Sequence, residues 1–414
     1  MSRVVVIGAG LAGLVAANRL AAGGAKVVLL SKGLGGLQLG QGTIDVFGYA
    51  PERVSNPIRT VQALPGTHPY TRVGATNLLA GLAYLKELVP DLLVGDPEAN
   101  YQLPTAVGAI RPTCLAQPSM VAGNLGAGDR VVIVGLRQLK DFHPQLVAEN
   151  LARTDLPSGG RAKVRHLLVD FPAREGEIDS SALTYARAFD DPGVRERFAR
   201  AFIGELESDE IVGLPAVLGV SDPNAWRHVA EKLGHPVFEI PLPPPSVPGI
   251  RLNEALTASA KAAGVRFVPG TRVFDFRASD RRVGSVTIAV EPAGREFAAD
   301  AFVLAGGGFE SGALELDSHG RVRETLFGLP LEGADAVPLI HGDYWGGEQP
   351  LFTVGVRVGS DLKPLDASGK PVYDNLWAAG GIIAGSAGWA EKCGDGIALA
   401  SAMAAADSIL KELS

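Results

Sequence analysis

A chain of 414 residues, 46% hydrophobic and 20% charged, has the makeup of a folded protein and is too long for one simple core, so two domains are expected. Its net charge of −7, with lysine and arginine in no long block, argues against nucleic acid or an anionic lipid surface as the main partner. Two cysteines without paired spacing and seven scattered histidines argue against disulfide frameworks, iron–sulfur clusters and metal sites, and suit a reducing cytoplasm.

The chain opens on Val4-Val5-Val6-Ile7, a β-branched run that leads into Gly8-Ala9-Gly10-Leu11-Ala12-Gly13. Small and apolar residues continue to Leu20, Gly23-Gly24 stops them, and Val27-Val28-Leu29-Leu30 follows. This predicts strand, tight turn, helix and second strand, with a phosphate or pyrophosphate on the amides of the helix start. Gly8, Gly10, Leu11, Ala12 and Gly13 are therefore candidate cofactor contacts. A dinucleotide fold normally ends its second strand on a carboxylate that holds the adenosine ribose, but here Ser31-Lys32 stands in that place. The serine hydroxyl and the lysine leave FAD, FMN and a phosphorylated nicotinamide open as ligands.

The stretch from Val4 to Ala17 is too short to span a bilayer, and no other run reaches about eighteen apolar residues, so no direct membrane insertion is expected. Gly-rich residues 33–45 follow the second strand, and Gly42 and Thr43 offer an amide and a hydroxyl to a flavin ring. Leu78, Leu79, Leu82, Leu85 and Leu88 fall at helical spacing and predict a helix with these leucines in the core. Residues 96–127 show little periodicity. From Arg130-Val131-Val132-Ile133-Val134 onward, strands at 164–170, 210–214 and 237–240 alternate with helices at 142–153, near 180–206 and at 223–233. That alternation predicts an inserted, mainly parallel α/β domain capping the cofactor.

The proline-rich run 242–252 reads as the crossing between domains, holding Arg251 where a substrate or flavin anion is met. Segments 265–268, 273–276, 283–290 and 296–297 read as a β-meander. It delivers a buried strand that ends in Gly306, Gly307 and Gly308, glycines that permit close cofactor approach. The last third holds His341-Gly342-Asp343-Tyr344-Trp345, an extended stretch at 352–358, and Asn375 to Gly380-Gly381. Gly394-Asp395-Gly396 opens a terminal helix at about 397–413, whose positive end is expected near the flavin pyrimidine.

The expected architecture is α/β: a Rossmann-like flavin-binding domain with a β-meander, built from residues 1–50 and 242–414, and an inserted α/β cap domain over 51–241. His341 is the candidate general base, taking a hydroxyl proton while hydride leaves for the flavin, and Arg251 the candidate anion contact.

Together these glycine segments resemble the two-dinucleotide-binding-domain flavoproteins of the fumarate reductase and succinate dehydrogenase branch. Within that branch, residues 40–45, His68-Pro69-Tyr70, 131–135 followed by Asp141-Phe142, 243–252 and 375–381 are similar to the B subunit of anaerobic glycerol-3-phosphate dehydrogenase. The resemblance implies FMN, a catalytic flavoprotein as partner, and a membrane-anchoring iron–sulfur protein as the third component. It also implies a cytoplasmic chain held at the inner face of the membrane through its partner, with electrons passing from glycerol 3-phosphate to quinone. Two other functions fit the residues: a non-catalytic flavin relay or scaffold, and an NADPH-dependent flavin reductase.

Overall fold

The strand Arg3–Ile7 lies at the centre of a parallel sheet, with all but its first residue buried. Lys26–Leu30 and then Arg266–Val268 lie on one side, and Ala301–Leu304 and then Leu376–Ala378 on the other. Near-continuous apolar strands are what a sheet covered on both faces requires. The computed structural model describes residues 2–290, 294–343 and 346–413 and divides the chain into two compact units. The first unit takes in 1–36, 45–89 and 255–414, and the second 37–44 and 90–254.

In the first unit the terminal helix Gly394–Leu413 packs against the helices Leu11–Ala22 and Ala75–Leu88. Its small residues, including Ala400, Ala402, Ala405 and Ala406, are buried and admit that close approach. Gly81 of the neighbouring helix lies so near Leu399 that a Cβ would sit 3.1 Å from that side chain. This packing draws 45–89 into the first unit, contrary to the expected inserted domain that starts at 51. Leu78, Leu82 and Leu85 are core as expected, whereas Leu79 is 41% exposed and Leu88 half-buried.

An antiparallel meander of Val273–Ser279, Arg282–Ile288 and Arg295–Ala298 follows the sequence reading. The segment 265–268 does not belong to it, since Arg266–Val268 pairs in parallel with Lys26–Leu30. The terminal helix begins at Gly394 rather than 397, and Tyr344 and Trp345 lie outside the described residues.

The second unit holds a four-stranded parallel sheet in the order Lys163–Val169, Arg130–Leu136, Glu210–Pro215, Val237–Ile240. The helix Pro192–Phe202, which follows Ala182–Ala188, contributes Phe198, packed 5.1 Å from Phe189 and 5.0 Å from Phe202, ring centre to ring centre. Residues 96–127 contain a hairpin, Tyr101–Pro104 with Ile110–Thr113, which periodicity does not reveal because Pro104 and Pro112 interrupt its short strands.

Residues 242–254 join this unit, not the flavin-binding half, because Leu242 and Val247 enter its core and Arg251 pairs inside it. Ser246 and Gly249 sit against 37–40, which ties that stretch to the same unit. The helix Val247–Ala262 crosses the boundary between the units at 254 and 255.

Candidate flavin site

Three neighbouring strands of the first sheet end on glycine clusters. Ile7 pairs with Leu304 and Leu304 with Ala378, so the segments 8–13, 305–308 and 379–381 leave the sheet side by side. Gly8 has φ +112°, its amide donates to Leu30 O at 2.8 Å, and a Cβ there would overlap Ala305 O. A Cβ on Gly13 would overlap the Gly8 carbonyl, so strand and helix touch backbone to backbone. Gly380 takes φ +78°; its amide donates to Ser401 Oγ at 2.9 Å, and a Cβ on it would lie 2.9 Å from Ala12 Cβ. Gly381 lies against the Gly307–Gly308 backbone, about a van der Waals contact away.

Gly10 differs from its neighbours. It caps the helix Leu11–Ala22 with no side-chain hydrogen bond, has φ −74°, and a Cβ on it would meet nothing within 4 Å. The first-turn amides, including those of Leu11 and Ala12, have no carbonyl one turn back to accept them, and they stand where the helix dipole is positive. Open space over such amides fits a phosphate. The residues thus fit the nucleotide that the sequence implies.

Other candidates have partners of their own. Ser31 is buried and its hydroxyl donates to Gly33 O, which closes the turn after the second strand, while Lys32 is exposed. Gly307, at φ +82°, starts a turn in which the Gly308 amide donates to Glu310 Oε1 at 3.0 Å. At the start of the terminal helix Asp395 Oδ2 accepts from the Asp45 amide at 3.1 Å, and the Gly396 amide donates to Asp45 O at 3.0 Å. A Cβ on Gly396 would overlap Tyr70 Oη, so this glycine answers to Tyr70. Gly394 has open space around it. Gly42 and Thr43 fall in the second unit.

His341 is stapled into its own loop. Its Nδ1 takes a hydrogen bond from Gln349 Nε2 at 3.1 Å, and its Nε2 faces Gly347 O at 3.1 Å. Both ring nitrogens are thus engaged, an arrangement that fixes a loop. Arg251, expected to meet a substrate anion, is buried among second-unit groups instead. Its guanidinium donates to Glu239 from Nη1 to Oε2 at 2.6 Å and from Nη2 to Oε1 at 3.1 Å, and also to Gly219 O, Leu218 O and Gln117 Oε1. A guanidinium with its donors so used is a core ion pair.

One cluster is invisible to residue spacing. His68, Glu391 and Cys393 bring an imidazole, a carboxylate and a thiol within 4.8 Å of one another, although 323 residues separate the first two. His68 caps the helix Pro69–Val73 by accepting the Tyr70 amide on Nδ1 at 3.2 Å. The ring proton therefore sits on Nε2 and points at Glu391 Oε2, 3.3 Å away, which leaves that nitrogen no lone pair for a cation. Cys393 Sγ donates to the same oxygen at 3.1 Å. Burial pushes the Glu391 carboxyl up, but the hydrogen bonds from His68 and Cys393 outweigh it and hold the group below its usual range. Burial and the adjacent Glu391 charge push the Cys393 thiol well above its usual range. The cluster is a hydrogen-bonded seat at the start of the terminal helix.

A thiol so buried is a poor nucleophile. Cys114 and Cys393 are both expected to stay silent to Ellman's reagent at about pH 8 in the folded protein and to react fully in guanidinium. A native-state titre of one thiol per chain in a Cys114→Ser variant would contradict this seat.

Residues 3–397 match the family described as FAD binding domain, so the chain is a flavoprotein of that class. A Halobacterium salinarum protein, named as the probable B subunit of anaerobic glycerol-3-phosphate dehydrogenase, is 34% identical over 98% of this chain and 96% of its own. The B subunit of the same enzyme from Pectobacterium atrosepticum is 31% identical, over 99% of this chain and 98% of its own length. The chain belongs to the family of anaerobic glycerol-3-phosphate dehydrogenase B subunits. Among solved structures, a 3-ketosteroid Δ1-dehydrogenase from Sterolibacterium denitrificans covers all of both chains at 12% identity with a TM-score of 0.46. Among the described residues no helix is long and apolar enough to cross a membrane.

Proposed function

We propose that this chain is the flavoprotein subunit of an anaerobic glycerol-3-phosphate dehydrogenase, oxidising glycerol 3-phosphate to dihydroxyacetone phosphate. The observation that carries the reading is the meeting of three glycine clusters at adjacent strand ends, over a helix start with open space above Gly10. A bound flavin supplies the two-electron acceptor for the alcohol. The chain's own part is to hold it: Gly10 and the first-turn amides would take its phosphate, with the Gly306–Gly308 and Gly380–Gly381 backbones beside them at the neighbouring strand ends.

FMN is the proposed flavin. No carboxylate ends the second strand, and Ser31 spends its hydroxyl on Gly33 O, so the usual hold on an adenosine ribose is missing. The cofactor released by heat is expected to run with FMN on a reversed-phase column; FAD in its place would overturn this choice and leave the flavin site standing.

The proposed assembly adds a catalytic flavoprotein partner and an iron–sulfur protein that holds the complex at the inner face of the membrane and hands electrons to quinone. A second reading, a flavin relay fed by the catalytic partner, is favoured by the engagement of both His341 nitrogens and of Arg251. Stopped-flow mixing of the flavin-loaded chain with glycerol 3-phosphate separates the two. Rapid bleaching supports the dehydrogenase, and bleaching only when the catalytic partner is present supports the relay.

A further inference from the structure

The strands that carry the three glycine clusters do not follow chain order across the sheet. Lys26–Leu30, the second strand in sequence, lies on one side of Arg3–Ile7, while Ala301–Leu304 and then Leu376–Ala378 lie on the other. All four run parallel, so their carboxyl ends share one edge. The strand order reverses at Arg3–Ile7, which is where an open α/β sheet takes its ligand. A ligand with its phosphate over Gly10 has two ways to run along that edge. Toward Lys26–Leu30 it meets no carboxylate, only Ser31, whose hydroxyl is spent on Gly33 O. Toward Leu376–Ala378 it crosses the end of Ala301–Leu304, the strand in between, about 4.8 Å on.

A carboxylate stands at that middle end. Glu310 lies beyond the strand in sequence, but its side chain turns back over the glycines: Oε1 accepts from the Gly308 amide at 3.0 Å, and a Cβ on Gly307 would lie 3.0 Å from the same oxygen. A Cβ on Gly308 would lie 3.0 Å from Glu310 Oε2 and 3.4 Å from Gly381 O, so the carboxylate sits where the second and third clusters meet. The turn that aims it closes three times on Gly308 O, through Ser311 Oγ at 3.0 Å and the amides of Ala313 and Leu314 at 3.1 and 3.2 Å. Glu310 is nonetheless exposed, and among the described residues no lysine, arginine or histidine pairs with it. An ionised carboxyl offers about four acceptor sites, of which the Gly308 amide takes one. A group that only accepts, and carries negative charge, suits a run of hydroxyls and not a second anion.

We propose that Glu310 is a flavin ligand, accepting hydrogen bonds from hydroxyls of the ribityl chain as that chain runs from the phosphate over Gly10 toward Gly380–Gly381. The assignment rests on the flavin reading above and goes beyond it by giving the sugar chain a direction along the sheet edge and a partner in the protein. The carboxylate that the second strand lacks is thus supplied from the other side of the first, where it serves the flavin's own sugar chain in place of an adenosine ribose.

The test titrates the full chain, stripped of flavin, by calorimetry with FMN and with an analogue in which a hydroxyl-free pentyl chain joins ring to phosphate. Glu310→Ala is expected to weaken FMN at least about 10-fold, because hydrogen bonds to a charged group are the stronger kind, and to leave the Kd of the analogue unchanged. Glu310→Gln can still accept the Gly308 amide on its Oε1 and should fall between Glu310→Ala and the wild type. Ser311→Ala removes a bond from the same turn but keeps the carboxylate, so its FMN affinity should hold. An equal loss for both ligands makes Glu310 a part of the turn alone and overturns the contact, as does undiminished FMN binding in Glu310→Ala. Where the analogue is too weak to titrate, an FMN loss in Ser311→Ala as large as that in Glu310→Ala overturns it as well. Each of these results leaves the flavin site standing. A wild-type chain that takes up neither ligand overturns the flavin reading, and this contact with it.

Discussion

Replacing Gly10 with alanine is expected to give a chain that folds, melts like the flavin-free wild type and is purified nearly colourless. The alanine Cβ meets no atom of the protein within 4 Å, and φ of −74° is open to any L-residue, so folding loses nothing. What the methyl group fills is the space over the helix amides that a phosphate must enter. Gly13→Ala should fail differently. Its Cβ overlaps the Gly8 carbonyl, a backbone group that cannot swing aside, so helix and strand must part at a cost of about 3 kcal/mol or more. The measurement is flavin per chain beside a thermal melt of the flavin-free chains: Gly10→Ala lowers only the first, and Gly13→Ala lowers both. A Gly10→Ala chain with full flavin content would remove the phosphate from this turn and, with it, the reading built on the glycine clusters.

The contrast between the two glycines shows what the sequence carries and what it leaves out. Both are legible as part of one motif, because a β-branched run into spaced glycines and then a small-residue helix has few other uses. Which glycine serves the chain and which serves the ligand is a matter of distances that letters do not hold. Gly396 makes the same point at the other end, where a glycine expected near the flavin instead makes room for the Tyr70 hydroxyl.

Domain boundaries escape the sequence for a related reason. The helix Ala75–Leu88 is visible as a leucine stripe, but the partner for that stripe is the terminal helix, more than three hundred residues away. Arg266–Val268 is visible as a strand, yet three residues carry no sign of whether the neighbour runs parallel or antiparallel. His68 is one histidine among seven, although the His68-Pro69 step is itself the start of a helix whose cap fixes the ring tautomer.

Arg251 is the sharper departure, and the signal that places it correctly is present in the sequence. Val237-Phe238-Glu239-Ile240 is a buried strand of four residues with a carboxylate in it, and a buried carboxylate demands a cation. The consequence is measurable. Glu239→Gln should destabilise the protein by about 3–5 kcal/mol, because it leaves the Arg251 guanidinium buried without its counter-charge, and Arg251→Met should cost a similar amount by stranding Glu239. The double variant Glu239→Gln with Arg251→Met should cost at least about 2 kcal/mol less than the sum, the mark of two groups that act as one. It should not return to wild type, since Leu218 O, Gly219 O and Gln117 lose the donors that Arg251 supplied.

A core ion pair and an anion contact are separate roles for Arg251, and the single variants should also loosen the stretch 41–44, because Gln117 joins Gly42 to this pair. The two roles separate in a denaturant titration run beside steady-state kinetics. A residue that met the substrate anion directly would raise KM at unchanged stability, and that outcome for Arg251 would return it to the place its sequence neighbourhood suggests.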